Sequence, residues 1–175
     1  LSVSTITQVL KNLLQEGITL RDNRSIIDNL LAESVKTKDA NQLTALIRPH
    51  LGRIIVQDII SVNEELPIIT LEQPLEQLLN NSIQNDSSTN DVFLEPKLIE
   101  SIVASVSIEK QNAEERGNPA VMVVSPKIRP WLSRILRQRL GNLSVLAYTE
   151  IPEDQEIRVI GRVGIQDEQQ NQVAA

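Results

Sequence analysis

The chain contains no cysteine, one histidine and only three aromatic residues (Phe93, Trp131 and Tyr148), and each shortage removes a class of chemistry. Without thiols there are no disulfides, no thiolate nucleophile and no thiolate metal site, and nothing here calls for an oxidising compartment. A lone histidine without cysteine also excludes the usual zinc and transition-metal ligand sets and leaves only carboxylate sites. Aromatics at 2% of the chain supply neither base-stacking platforms nor aromatic hot-spot clusters, so the core has to be aliphatic. No run of about 18 uncharged apolar residues occurs, and residue 1 opens into a helical pattern instead of a basic-then-apolar leader. The expectation is a soluble segment that neither spans a membrane nor targets itself. No glycine-rich phosphate loop is present. Acidic residues outnumber basic ones, 23 to 17, so no whole-chain attraction to a polyanion is expected.

What the chain does have is 175 residues with 41% apolar content, enough to bury a real core. Ile6, Val9, Leu10, Leu13 and Leu14 follow three-and-four spacing up to Gly17, a position suited to end a helix in left-handed geometry. A short second helix is expected after the charged turn Arg21–Arg24, with Ile26, Ile27, Leu30 and Leu31 on one face. Asp39 is placed to cap a third helix, which Pro49 should bend. At Asn63 the texture changes to turn residues and then to the β-branched run Ile68–Leu71. Pro74 suits the first turn of a further helix, and the polar stretch from Asn80 to Asp91 reads as a mobile loop. Glu95-Pro96 opens a longer helix that Gly117-Asn118-Pro119 closes. Ala120–Val124, a helix capped by Ser125-Pro126, and Ser144–Tyr148 then make a strand-helix-strand unit, followed by an alternating strand at Ile157–Val163. The fold class is therefore mixed α and β: a small helical subdomain over residues 1–62, an α/β layered subdomain with a small mixed sheet over 63–165, and a disordered tail over 166–175.

No candidate constellation carries catalysis. His50 has no nucleophile elbow near it and reads as a structural or surface residue. Ser125 sits at a strand-to-helix turn but is followed by proline and lacks flanking glycines, so it reads as a cap. Asp86 and Asp91 lack the spacing and glycine of a calcium loop, and the adjacent pairs Glu64-Glu65 and Glu114-Glu115 point in different directions as solvated acids. No catalytic, cofactor or metal site is assigned, and no enzyme is expected. Arg129, Arg134, Arg137 and Arg139 give the last helix a basic side: either an ordinary exposed face or, at Arg129, Arg134 and Arg137, a patch for an acidic protein partner. The first half also admits a winged-helix nucleic-acid binder, with three helices and a hairpin wing drawn from Ile54 to Leu71. Its few basic residues are too sparse for the phosphate neutralisation on which such binding depends.

Four segments carry a resemblance. They are ITQVLKNLLQEGITLRDNRSIIDNLL, KTKDANQLTALIRPHLGRIIVQDI, ELPIITLEQPLEQLL, and AVMVVSPKIRPWLSRILRQRL with LSVLAYTEIPEDQEIRVIGRVG. In order and spacing, over about residues 1 to 164, they resemble the last two cytoplasmic subdomains of the FlhA/SctV/InvA family of type III export-gate proteins. LGR at 51–53 followed by IVQ at 55–57 inclines to the flagellar branch. The resemblance implies an N-terminal transmembrane region and earlier subdomains outside this sequence, with this part cytoplasmic below the bacterial inner membrane. It implies a nine-membered ring formed largely through the helical subdomain. It also implies docking of export chaperones with their cargo and of soluble export ATPase components, without nucleic acid. The family's principal chaperone cleft lies upstream, so none of its residues transfers here. Arg21, Asp22 and Arg24 of the RDNR turn are candidates for ring contacts, beside the plainer reading of helix capping and local pairing.

Overall fold

The structure, a computed structural model, describes residues 1–84 and 94–165. The chain forms two compact units, Leu1–Leu66 with Ala147–Glu156, and Pro67–Leu146 with the chain from Ile157 onward. This division differs from the linear one read from sequence, because residues 147–156 return to the helical unit.

In the first unit, α1 spans Val3–Gln15, α2 Asn23–Glu33, α3 Ala40–Ile47 and α4 Gly52–Gln57, with a 3-10 turn at Arg48–Leu51 between the last two. Ser2 caps α1 by accepting from the Thr5 N–H. At the other end Gly17 has φ +75°, and the Ile18 N–H reaches back to the Leu13 carbonyl at 2.9 Å, closing the helix in a Schellman motif. Asp39 caps α3 through the Gln42 N–H at 2.8 Å, as expected. The bend expected at Pro49 is the 3-10 turn: proline has no N–H for the helical ladder, and the tighter turn absorbs the loss before α4 resumes. Val9, Leu13, Ile26, Leu30, Leu43, Ile47 and Leu51 fill an aliphatic core. The wing of the winged-helix alternative does not form. Ile54–Gln57 continue the helical spacing within α4, and the run ending at Leu71 enters a sheet beside a parallel strand.

The second unit is built on a four-stranded sheet in the order β3-β2-β1-β4, with β1 at Leu66–Leu71, β2 at Val121–Val124, β3 at Ser144–Ala147 and β4 at Ile157–Val163. β1 and β2 are parallel, with Ile69 opposite Met122 and Thr70 opposite Val123. The Leu66 N–H bonds the Glu156 carbonyl, and the Glu72 N–H bonds the Val163 carbonyl. The two chains therefore advance together, and the sheet, expected to be mixed, is parallel here. From Leu66 to Glu72 is six steps and from Glu156 to Val163 seven, so β4 carries one extra residue, the count of a β-bulge. Helices α5 (Gln73–Gln84), α6 (Pro96–Glu115) and α7 (Arg129–Leu140) complete the layers. The core gathers Ile69, Leu75, Leu79, Val106, Met122, Leu132 and Leu136, with Trp131 the aromatic member.

Two sequence expectations shift. The first five residues of the stretch read as a loop, Asn80–Gln84, are the last turn of α5; the rest of that stretch, with Asp86 and Asp91, lies outside the described residues, as does the expected tail at 166–175. Ser125-Pro126 does not begin α7. The Ser125 carbonyl accepts from the N–H groups of Ile128 and Arg129, making a turn, and the helix starts at Arg129. Replacing Leu79, fully buried in this core, with alanine is expected to lower unfolding stability by about 2–5 kcal/mol, read by urea titration, whereas exposed Leu31→Ala should change it by under about 1 kcal/mol.

Candidate functional site

The buried face of α3, Leu43, Thr44 and Ile47, runs on through Arg48 and Leu51, so the spacing that buries leucines also carries a guanidinium inside. Arg48 is 2% exposed. Its Nε and Nη2 donate to Glu150 Oε1 and Oε2 at 2.8 and 2.7 Å, a bidentate pair, and Nη1 donates to Glu16. Burial alone would push the Arg48 pKa down; the hydrogen bonds and charge of Glu150, with the charge of Glu16, raise it instead, so the side chain stays a cation. Glu150 belongs to a 3-10 turn at Tyr148–Glu150, whose backbone comes so close to α4 that a Cβ on Gly52 would stand 1.9 Å from the Glu150 carbonyl oxygen. Arg53 Nη2 holds Asp154 at 3.0 and 3.1 Å, and Gln155 Nε2 donates to the carbonyls of Glu64 and Glu156. Between the end of α4 and residues 152–156 lies an open cleft of about 240 Å³, lined by Arg53, Ile60, Val62, Asn63 and Asp154 among others. Val62 is exposed and Asn63 adopts φ +69°.

Sequence reasoning missed the Arg48–Glu150 pair, whose partners are 102 residues apart. The legible signal was a charged residue at a position where helical spacing demands burial.

The residues singled out from sequence fall in separate places. Asp22 caps α2 by accepting from the Ser25 N–H at 3.1 Å, and the Ser25 hydroxyl together with that N–H lowers its pKa; Arg21 and Arg24 are exposed, with Arg24 Nε 3.9 Å from Asp28. Arg129 is 3% exposed and so does not share a surface with Arg134 and Arg137: the turn at Ser125–Ile128 sets the first residue of α7 inward, while Arg134 is half-buried and Arg137 and Arg139 are exposed. Ser125 is structural, its N–H donating to Glu76 and its hydroxyl to Asn80 at 2.9 Å. His50 Nε2 lies 3.5 Å from Glu33 Oε1. Lys36 Nζ lies 2.7 Å from Glu33 Oε2, an ion pair outside hydrogen-bond angles, and its ammonium holds the Glu33 carboxyl below its ordinary value. Among the described residues no group of histidine and carboxylate side chains is arranged to hold a metal ion, and no helix is long and apolar enough to cross a membrane.

The FHIPEP family profile matches residues 1–156. The chain belongs to the FHIPEP family. It is 35% identical over 163 residues to the flagellar biosynthesis protein FlhA of Salmonella typhimurium, covering 93% of this chain and 23% of that protein. The FlhA of Bacillus subtilis is 32% identical over 165 residues, covering 94% of this chain and 24% of the relative. This FHIPEP chain thus spans about a quarter of the curated relatives it matches. Among solved structures, nonameric SctV-C of EPEC superposes with a TM-score of 0.81 at 25% identity, over 93% of this chain and 49% of that one. The nonameric EscV cytosolic domain superposes at 0.73 and 26% identity, over 92% and 47%.

Arg48→Met alone leaves the Glu150 carboxylate buried without its cation and is expected to cost about 3–5 kcal/mol in urea unfolding. Arg48→Met with Glu150→Leu should recover most of that loss; equal stability of single and double variants would show that the pair is not what matters. The carboxyls of Asp22, Glu33 and Asp154 are all held below their ordinary values, by Ser25, Lys36 and Arg53 respectively. Their stabilisation is complete above the unfolded carboxylate range and is lost as pH falls through the lowered folded values. The urea midpoint is therefore expected to hold between about pH 7 and 5 and to fall below about pH 4, more shallowly in Glu33→Gln/Asp154→Asn.

Proposed function

We propose that this chain is the C-terminal part of the cytoplasmic domain of a flagellar type III export gate, a docking platform for export chaperones, their cargo and soluble components of the export ATPase. The observation that carries the reading is the 35% identity to Salmonella FlhA across nearly the whole chain, on the fold of nonameric SctV-C. On this reading the full-length protein is anchored in the bacterial inner membrane, this part faces the cytoplasm, and the chain does its work by binding, with no catalytic step assigned. The helical unit contributes to a ring of copies, with exposed Arg21 and Arg24 at the contact and Asp22 setting the turn that presents them. Arg134 and Arg137 on α7 offer a basic side to an acidic partner. Residues 1–62, with the returning residues 147–156, would then be the ring-forming subdomain, and the rest of 63–165 the layered one.

Replacing the matching segment of Salmonella FlhA with this chain is expected to preserve secretion of flagellar proteins and swimming. In the same chimaera, Arg21→Glu/Arg24→Glu should weaken self-association of the purified cytoplasmic domain with an unchanged circular dichroism spectrum. A stable chimaera that secretes nothing would count against the export-gate reading, and unaltered assembly of the charge-reversed form would remove those two arginines from the ring contact.

A further inference from the structure

β4 is an edge of the sheet, so among the described residues no strand lies against its outer backbone groups. Ile157 and Val159 in its first half are 50% and 46% exposed, and Ile165 beyond its end is exposed as well. At the C-terminal end of β4, α6 and the strand border an open cavity of about 230 Å³ to which Glu72, Glu109 and Arg162 contribute charge. Among the described residues, no ion pair or hydrogen bond engages the Glu72 or Glu109 carboxylate. Both carboxylates are nonetheless set closely against the strand. A Cβ on Gly161 would stand 2.2 Å from Glu109 Oε2, and one on Gly164 would stand 2.1 Å from Glu72 Oε2. The two glycines of the Gly-Arg-Val-Gly stretch are notches that let two acids converge beside an open edge.

Charge decides what this edge admits. Two copies of β4 paired edge to edge would bring Arg158 and Arg162 of one near those of the other, and like charges across a ladder oppose pairing. A strand that carries a cation meets two carboxylates, Glu72 and Glu109, against the single cation of Arg162 in the cavity. We infer that the β4 edge receives an extended segment of another polypeptide as an added strand, with apolar side chains against Ile157 and Val159 and a Lys or Arg seated between Glu72 and Glu109. Backbone pairing supplies affinity that is tolerant of sequence, and the carboxylate cavity supplies the selection. The inference rests on the geometry of this unit and stands apart from the export-gate reading.

The test selects random peptides of strand length on the purified chain, then measures the selected peptides by calorimetry and by amide shifts. Selected peptides are expected to carry Lys or Arg between Val, Ile or Leu, to shift the amides of residues 157–163, to weaken with added salt, and to stop binding when a central residue is proline. Glu72→Gln/Glu109→Gln, nearly isosteric and on the surface, should weaken them about tenfold or more, while Lys11→Gln on α1 should not. Selection of no peptide, selection of acidic peptides, affinity unchanged in the double variant, shifts centred elsewhere, or pairing of β4 with a second copy would each overturn the assignment.

Discussion

A guanidinium inside a helical unit dictates what surrounds it. Arg48 cannot be buried alone, because stripping water from a fixed charge costs several kcal/mol unless an opposite charge and hydrogen bonds replace that water. Glu150 and Glu16 meet that demand, and Glu150 comes from far along the chain. Once it is in place, its backbone has to lie against α4, which is possible only because residue 52 is glycine. Arg53 with Asp154 and Gln155 with Glu64 then fix the rest of the returning segment. β3 ends and β4 begins at the two ends of that segment.

The α/β unit is organised differently. Its interior is aliphatic with a single tryptophan, and its polar features are structural: Glu76 and Asn80, one turn apart on α5, hold Ser125 at the end of β2. Among the described residues no group there is arranged to hold a metal ion, and an edge strand and the carboxylates of Glu72 and Glu109 lie open at its surface. Two of the solved structures this chain resembles, SctV-C of EPEC and the EscV cytosolic domain, are nonamers.

Local rules are dictated by near neighbours, and these were legible in the sequence. Gly17 and Gly117 close their helices with φ +75°, Asp39 caps α3, Pro49 interrupts the ladder, and β4 spans the residues its alternation marked. Each depends on backbone sterics or on a side chain bonding within a few residues, so the order of letters suffices. The same local reasoning misplaced the start of α7 and the end of α5, where turn residues also fit a helix terminus and only packing decides between them.

By itself, then, the sequence determined the elements, the aliphatic character of the cores and, through ordered similarity along the chain, the family. Only the tertiary structure decided that Arg48 reaches Glu150, that Arg129 turns inward, that β4 runs parallel to β1, and that Glu72 and Glu109 converge on two glycines of β4. Those outcomes join positions tens of residues apart. Their energy comes from desolvation and close packing of groups that are strangers in the sequence, and no local pattern records which of them will meet.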